Sequence, residues 1–323
     1  MRCINRVCVA ALSGVVFLTG CASSKYDMPY DINTTISAYS FDTSDANRTA
    51  DSFASDLCVV SDDVSEGTDV DMSKATAAAL FDTAHLDTIY AKNAHKTLYP
   101  ASMTKVLTAL IAMKYGQMDD ILTASQNVLI TESGAQLCGF KPGDTMTLDQ
   151  ALHGLLMYSG NDAGVVIAEH ISGSVEDFAV LMNEEAKKLG ATNSNFVNPH
   201  GLTDDKHYTT AYDMYLIFNE AMKYEKFKEI IHMSNYTSTY HDSEGNDKEM
   251  EFATTNLFLT GTAYTPDNVT VIGGKTGTTN AAGACLVLLS QNNAGEPFIS
   301  VVMQAEDRDT LYVEMSDLLQ EIN

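Results

Sequence analysis

Residues 99–110, YPASMTKVLTAL, place a serine and a lysine three positions apart at the start of an apolar pattern. Apolar side chains then recur at helical spacing until Gly116, at Met103, Val106, Leu107, Leu110 and Ile111. Because residues three apart share a face of a helix, the Ser102 hydroxyl and the Lys105 amine can meet within hydrogen-bond distance. The sequence therefore predicts a buried helix that begins near Ser102 and carries a nucleophile with a base beside it.

The pair of Ser102 and Lys105 does not identify a catalytic site by itself. A serine that only caps the helix and a lysine that only points into solvent have the same spacing. Two further motifs follow, Ser159-Gly160-Asn161 in a predicted loop and Lys275-Thr276-Gly277 at the end of a predicted strand. Ser-x-x-Lys, Ser-x-Asn and Lys-Thr-Gly in this order are the signature of penicillin-recognising serine enzymes.

Within that group the chain resembles the serine-type D-alanyl-D-alanine carboxypeptidases, the low-molecular-mass penicillin-binding proteins. The resemblance covers about residues 76–320. Its matching segments are 99–105, 141–144, 159–163, 198–202, 208–213 and 275–277. This resemblance implies an antiparallel sheet joined to a helical lobe, and a hydrolase that needs no cofactor.

The resemblance also implies an acyl-enzyme mechanism. Ser102 is expected to attack the carbonyl of the penultimate D-alanine of a peptidoglycan stem pentapeptide and to release the terminal D-alanine. Lys105 is expected to take the hydroxyl proton, with its pKa lowered by burial and by the nearby charge of Lys275. Ser159 then relays the proton to the leaving amine. β-Lactams are expected to acylate the same serine.

Further residues are assigned to substrate binding by the same resemblance. Asn161 is expected to orient Lys105 and the substrate, and Lys275 with the Thr276 hydroxyl to face the terminal carboxylate. The backbone N–H groups of Ser102 and Thr278, beside Gly277, are the expected oxyanion hole. These further residues are Asn161, Lys275, Thr276, Gly277 and Thr278.

The chain departs from its relatives at one position near the C-terminus. Relatives often place an arginine just before an aromatic residue and the last helix, where it helps to hold the substrate carboxylate. Leu311 precedes Tyr312 here, and Arg308 is the only basic residue after Lys275. Arg308 is therefore a candidate for the carboxylate-binding role, and an ordinary surface arginine is the alternative.

Periodicity predicts an α/β (α+β) fold. Two short strands are expected around residues 77–91, helices over most of 103–232, and strands again from 236 to 303 before a last helix. Helix starts are expected at Thr147, where Gln150 completes a capping box, and at Ser174 and Thr210. The pattern predicts one antiparallel sheet built from both chain ends with flanking helices, and an all-helical lobe inserted between them.

The N-terminus resembles that of a bacterial lipoprotein. Residues 1–20 have the basic start and short apolar run of a signal peptide, and Leu18-Thr19-Gly20-Cys21 resembles a lipobox. Cys21 is the expected lipidation site, an ordinary signal peptide being the alternative. Residues 21–73 are expected to be an acidic, flexible tether in which 57–60 could dock as a strand, and residues 74–323 the catalytic domain. The enzyme is expected in the bacterial envelope, on the outer side of the cytoplasmic membrane or in a periplasm.

Composition excludes several other functions. With 43 acidic and 19 basic residues the formal net charge is -24, which disfavours nucleic acid as a partner. No metal site is expected, because the 8 histidines form no ligand-like spacing. Cys58, Cys138 and Cys285 are expected to be buried thiols, although one disulfide among them remains open.

Two other functions remain as alternatives at this point. The first is a serine β-lactamase, which needs a dedicated carboxylate for rapid deacylation, and no motif for one is found in the sequence. Segment 198–202, which resembles the carboxypeptidases, also disfavours this function. The second alternative is a lipoprotein that binds wall peptides or β-lactams without turnover, which the full set of catalytic residues disfavours.

Overall fold

The computed structural model describes residues 54–65 and 67–322, which belong to one compact unit that begins at Ala54. The predicted signal peptide, the lipidation site Cys21 and the tether as far as residue 53 lie outside the described residues. None of the helices in the described ranges combines the length and apolar character that a membrane crossing requires.

Seven α-helices occur in the described part of the chain. They are α1 (Thr104–Tyr115), α2 (Leu148–Leu156), α3 (Asn161–Ser172), α4 (Val175–Lys188), α5 (Ala211–Ala221), α6 (Glu225–His232) and α7 (Arg308–Leu319). Thr147, Ser174 and Thr210 each accept a first-turn N–H with the side chain, as predicted. The Thr147–Gln150 capping box is complete.

Nine β-strands within the described ranges form two antiparallel sheets. They are β1 (Ala77–Asp82), β2 (Asp87–Lys92), β3 (Ile121–Thr123), β4 (Thr145–Thr147), β5 (Asn235–His241), β6 (Asp247–Ala253), β7 (Val269–Thr279), β8 (Gly283–Asn292) and β9 (Pro297–Ala305). The main sheet has the order β2-β1-β9-β8-β7. Its first two strands and its last three come from opposite ends of the domain, which confirms the predicted fold class.

A second sheet, which the sequence analysis did not anticipate, lies in the inserted part of the chain. Its order is β3-β4-β5-β6. The strands β3 and β4 have 3 residues each, too few for an alternating pattern to show. The hairpin of β5 and β6 was predicted, but as part of the return to the main sheet. The inserted lobe therefore carries this small sheet besides its helices.

The main sheet is buried on both faces. Ala79, Val287 and Val301 point into a large core shared with α1 and α5, and Leu80 and Leu286 point into a smaller core beneath α7. From Thr104 to Ala112, every residue of α1 is buried. A helix that is buried on all sides usually has apolar side chains all round. Lys105 is an exception, because burying its amine removes the water that would hydrate it.

Residues 54–65 and 67–73, expected as part of a solvated tether, pack onto the domain. Cys58 and Val60 are buried in the large core, and Val64 pairs with Ala91 of β2. The Tyr215 hydroxyl of α5 accepts the Cys58 N–H at 2.9 Å. The apolar residues at 57–60 explain why this part packs onto the domain. They are too few to outweigh the acidic residues around them, which is why the sequence predicted a tether. Cys58, Cys138 and Cys285 are buried free thiols, as predicted.

We expect Tyr215→Phe to lower the free energy of unfolding by about 1–3 kcal/mol, because it leaves the buried Cys58 N–H without an acceptor. Urea unfolding of residues 54–323 measures the change. Tyr264→Phe is the matched control, since the Tyr264 side chain is 64% exposed. Equal stability of the two variants would contradict the structural role of the Cys58 contact.

Candidate active site

Ser102 lies in a single 3-10 turn, Ala101–Met103, immediately before α1. Ala101 has a φ of 47°, a left-handed conformation that costs energy for a residue with a side chain. The turn is held from outside, because the Thr104 hydroxyl donates to the Ala101 carbonyl at 2.8 Å. Gly201 also packs on it so closely that a Cβ there would lie 1.9 Å from the Ala101 oxygen. The turn presents Ser102, which is half-buried, to the cleft.

The Lys105 amine is fully buried and contacts three oxygen atoms. Its Nζ lies 2.9 Å from Ser102 Oγ, 2.6 Å from Asn161 Oδ1 and 2.7 Å from the His200 carbonyl oxygen. Burial, and secondly the charge of Lys275, hold the pKa of Lys105 well below the usual lysine value. The amine is therefore neutral under conditions that leave an exposed lysine charged.

The identity of these three partners sets the direction of the hydrogen bonds. A neutral amine has two N–H donors and one lone pair. The Asn161 amide oxygen and the His200 carbonyl can only accept, so they use both donors. The lone pair is then left for the third partner, the Ser102 hydroxyl. This arrangement prepares Lys105 to remove a proton from Ser102.

A second serine–lysine pair, Ser159 and Lys275, lies beside the same cavity as Ser102. Ser159, in the loop between α2 and α3, has a φ of 67°. Its Oγ accepts a hydrogen bond from Lys275 Nζ at 2.9 Å, and the Thr276 carbonyl accepts a second at the same distance. Burial alone lowers the pKa of Lys275 to about 7. Lys275 therefore loses its proton more readily than an exposed lysine does.

Strand β7 runs directly past the nucleophile. A Cβ at Gly277 would lie 2.8 Å from the Ser102 backbone nitrogen, so only glycine allows this approach. The next residue, Thr278, lines the same cleft as Ser102. The predicted oxyanion-hole residues therefore lie side by side.

Arg308 reaches the other end of the cleft. Its Nη2 donates to the Thr255 carbonyl at 2.8 Å, and the Thr255 and Thr276 hydroxyls lie 2.5 Å apart. Arg308 and Thr276 line a cavity of about 200 Å³ together with Ser102 and Ser159. The structure thus brings all predicted catalytic and substrate-binding residues to one cleft, although Cys21 lies outside the described residues.

Asp162, which follows the Ser159-Gly160-Asn161 motif, has a structural role that its residue type and position do not indicate. The carboxylate is completely buried and accepts the N–H groups of Cys138, Gly139 and Phe140 at 2.8, 2.7 and 3.2 Å. It thus ties the loop before β4 to the start of α3. The adjacent Asn161 N–H donates to the Gln136 carbonyl at 2.8 Å.

Two other contributors have no strong sequence signal. The His200 residue contributes its backbone carbonyl to the Lys105 site, and a backbone atom leaves no trace in residue type. Thr255, which contacts both Arg308 and Thr276, belongs to no motif.

Among the described residues, no group of three or more His, Cys, Asp and Glu side chains could hold a metal ion.

Comparison with known proteins confirms the predicted resemblance. A family model described as D-alanyl-D-alanine carboxypeptidase matches residues 64–307, so the chain belongs to the D-alanyl-D-alanine carboxypeptidase family. The carboxypeptidase DacF of Bacillus subtilis is 36% identical over 253 residues, covering 76% of this chain and 61% of that protein. DacC of Escherichia coli is 32% identical over 254 residues, covering 76% and 60% respectively.

The fold has solved counterparts. The crystal structure of the Streptomyces K15 DD-transpeptidase superposes with a TM-score of 0.71 at 24% identity, covering 77% of this chain and 96% of that one. A penicillin-binding protein homologue from Mycobacterium tuberculosis gives a TM-score of 0.69 at 26% identity, covering 79% and 94%. The chain spans about 61% of the length of the first curated relative and 60% of the second.

We expect Asp162→Ala to lower the free energy of unfolding by about 3 kcal/mol or more, since it leaves several buried N–H groups without an acceptor. Thermal or urea unfolding measures the loss. Asp267→Ala, at an exposed position, removes the same charge as a control. A loss no greater than that of the control would show that the carboxylate does not hold the loop.

Proposed function

We propose that the protein is a serine D-alanyl-D-alanine carboxypeptidase that removes the terminal D-alanine from peptidoglycan stem peptides through an acyl-enzyme. The observation that carries this proposal is the buried Lys105 amine, whose Nζ lies 2.9 Å from Ser102 Oγ. Family membership over residues 64–307 supports the substrate class. β-Lactams are expected to acylate the same serine.

In the proposed acylation step, Lys105 takes the proton of Ser102 as Oγ attacks the penultimate carbonyl carbon. Negative charge develops on the carbonyl oxygen, where the N–H groups of Ser102 and Thr278 can donate to it. Ser159 relays the proton held by Lys105 to the leaving amine as the peptide bond breaks, so Lys105 becomes neutral again and Ser159 keeps a hydroxyl proton. Lys275 donates to the Ser159 hydroxyl, so that hydroxyl is held with its own proton directed away from the lysine.

Substrate orientation follows from the charges of the cleft. Lys275, the Thr276 hydroxyl and Arg308 are the cationic and donor groups at one end, and the terminal carboxylate is expected there. The cleaved bond then lies over Ser102, and the rest of the peptide continues toward the other end. Water hydrolyses the ester to regenerate Ser102.

The location belongs to the same proposal. The Leu18–Cys21 pattern supports a lipid attached at Cys21 and a site on the outer side of the cytoplasmic membrane or in a periplasm. The proposed domains are a signal peptide over 1–20, a lipidated N-terminus with a tether from 21, and the catalytic domain that follows. Because residues 54–65 and 67–73 pack onto that domain, the proposed tether is shorter than expected.

Labelling with fluorescent penicillin tests the function. We expect the native chain to form a long-lived adduct and to release D-alanine from a pentapeptide, and Ser102→Ala to do neither, because the attacking oxygen is absent. Equal labelling of both proteins would show that the nucleophile is a different residue. Fast hydrolysis of benzylpenicillin would favour a β-lactamase, and labelling without D-alanine release a binding protein.

Arg308→Ala tests the carboxylate end of the cleft. Loss of a charged hydrogen bond to the carboxylate should lower kcat/KM on a D-Ala-D-Ala peptide by about 10-fold or more, mainly through KM. Lys187→Ala, at an exposed position on α4, removes the same charge as a control. Similar kcat/KM values for the two variants would make Arg308 an ordinary surface residue.

A further inference from the structure

The cleft continues beyond Ser102, away from Arg308, into a second cavity of about 510 Å³. One wall is the loop before β4, and the other consists of segments 201–203 and 278–280. A contact between the Thr203 and Thr279 hydroxyls, 3.2 Å apart, joins the two segments of the second wall. Of the residues that line this cavity, Glu132 is the only charged one.

Glu132 belongs to a wall that is fastened to the catalytic residues. The Ala135 N–H donates to the Glu132 carbonyl at 3.2 Å and closes a turn. The next anchor is Gln136, whose carbonyl accepts the Asn161 N–H, and the third is the contact of Asp162 with residues 138–140. The position of Glu132 is thus set by the same segment that orients Lys105.

The Glu132 carboxylate is exposed to the cavity and has no salt-bridge partner among the described residues. The opposite end of the cleft has Arg308 and Lys275 instead. The two ends of the cleft therefore carry opposite charges, with cations on one side of Ser102 and a single anion, Glu132, on the other. A ligand that complements both ends has a carboxylate at one end and a cation at the other.

We infer that Glu132 is a specificity-determining residue that favours peptides with a side-chain ammonium on the residue preceding D-Ala-D-Ala, that is, a diamino acid. The inference rests on the proposed function, which puts the terminal carboxylate beside Arg308. The acyl part of the peptide then enters the second cavity. Since one residue spans about 3.5 Å of extended chain, the residue preceding D-Ala-D-Ala lies in this cavity with its side chain free to meet Glu132.

The expected preference is modest, because the pair is partly exposed to water and screened by salt. We expect kcat/KM for an L-Lys-D-Ala-D-Ala peptide to exceed that for its Nε-acetyl form by about 3- to 5-fold at low ionic strength. Raising the salt concentration should reduce this ratio. A preference caused by side-chain length alone would not respond to salt.

The test measures this ratio in variants. Glu132→Gln should bring it close to one, and Glu132→Lys should reverse it. Glu184→Gln, at an exposed position on α4, changes the net charge equally and should keep the native ratio. A variant that is merely destabilised lowers kcat/KM for both peptides and leaves their ratio as it was, so the ratio separates specificity from damage to the fold.

Competition of the same two peptides against fluorescent penicillin gives a second readout that needs no turnover. Stronger competition by the free-amine peptide, lost in Glu132→Gln, would support the Glu132 inference whether or not D-alanine is released. Absence of D-alanine release would overturn only the proposed carboxypeptidase function. Equal competition and equal kcat/KM for both peptides in the native protein would overturn the Glu132 inference alone.

Discussion

The burial of one amine, that of Lys105, governs how the rest of the site is built. An ammonium group in this position would lose its hydration without gaining a carboxylate, since its partners are a hydroxyl, an amide oxygen and a backbone carbonyl. The fold therefore favours the neutral form of the amine, which is the form that can accept a proton. The three elements that contact the amine, which are the Ala101–Met103 turn, the start of α3 and the 198–202 segment, all contribute to this preference.

The catalytic geometry also depends on backbone conformations that are unfavourable in isolation. Two residues of the site have a positive φ: Ala101, which precedes Ser102, and Ser159, which carries the second hydroxyl. Such conformations cost about 1–3 kcal/mol each and persist only where the surroundings enforce them. Around Ala101 the surroundings are Gly201 and Thr104, which is why a glycine far along the chain is tied to the position of Ser102.

Sequence reasoning predicted the main sheet, most helix starts and the charged and hydroxyl residues of the site. The Thr147–Gln150 capping box is confirmed and the Ser102 and Lys105 side chains lie 2.9 Å apart, because both features depend on residue type and on spacing. Sequence reasoning did not predict that the β5–β6 hairpin joins β3 and β4 in a second sheet, because β3 and β4 have only 3 residues each and the β4–β5 pairing joins distant parts of the chain. Nor did it predict the His200 carbonyl or the loop contact of Asp162, which depend on where the backbone runs in three dimensions.

The strand order of the main sheet has a consequence for when the site can exist. Residues 77–82 of β1 pair with residues 298–303 of β9, so a central pairing joins the two ends of the domain. Contacts this far apart in the chain carry a large loop-closure entropy and form slowly. Lys275 in β7 and Arg308 at the start of α7 also come from the C-terminal part of the domain. A chain that lacks its C-terminal strands therefore has Ser102 but not Lys275 or Arg308, and the cleft is complete only when those strands have been added.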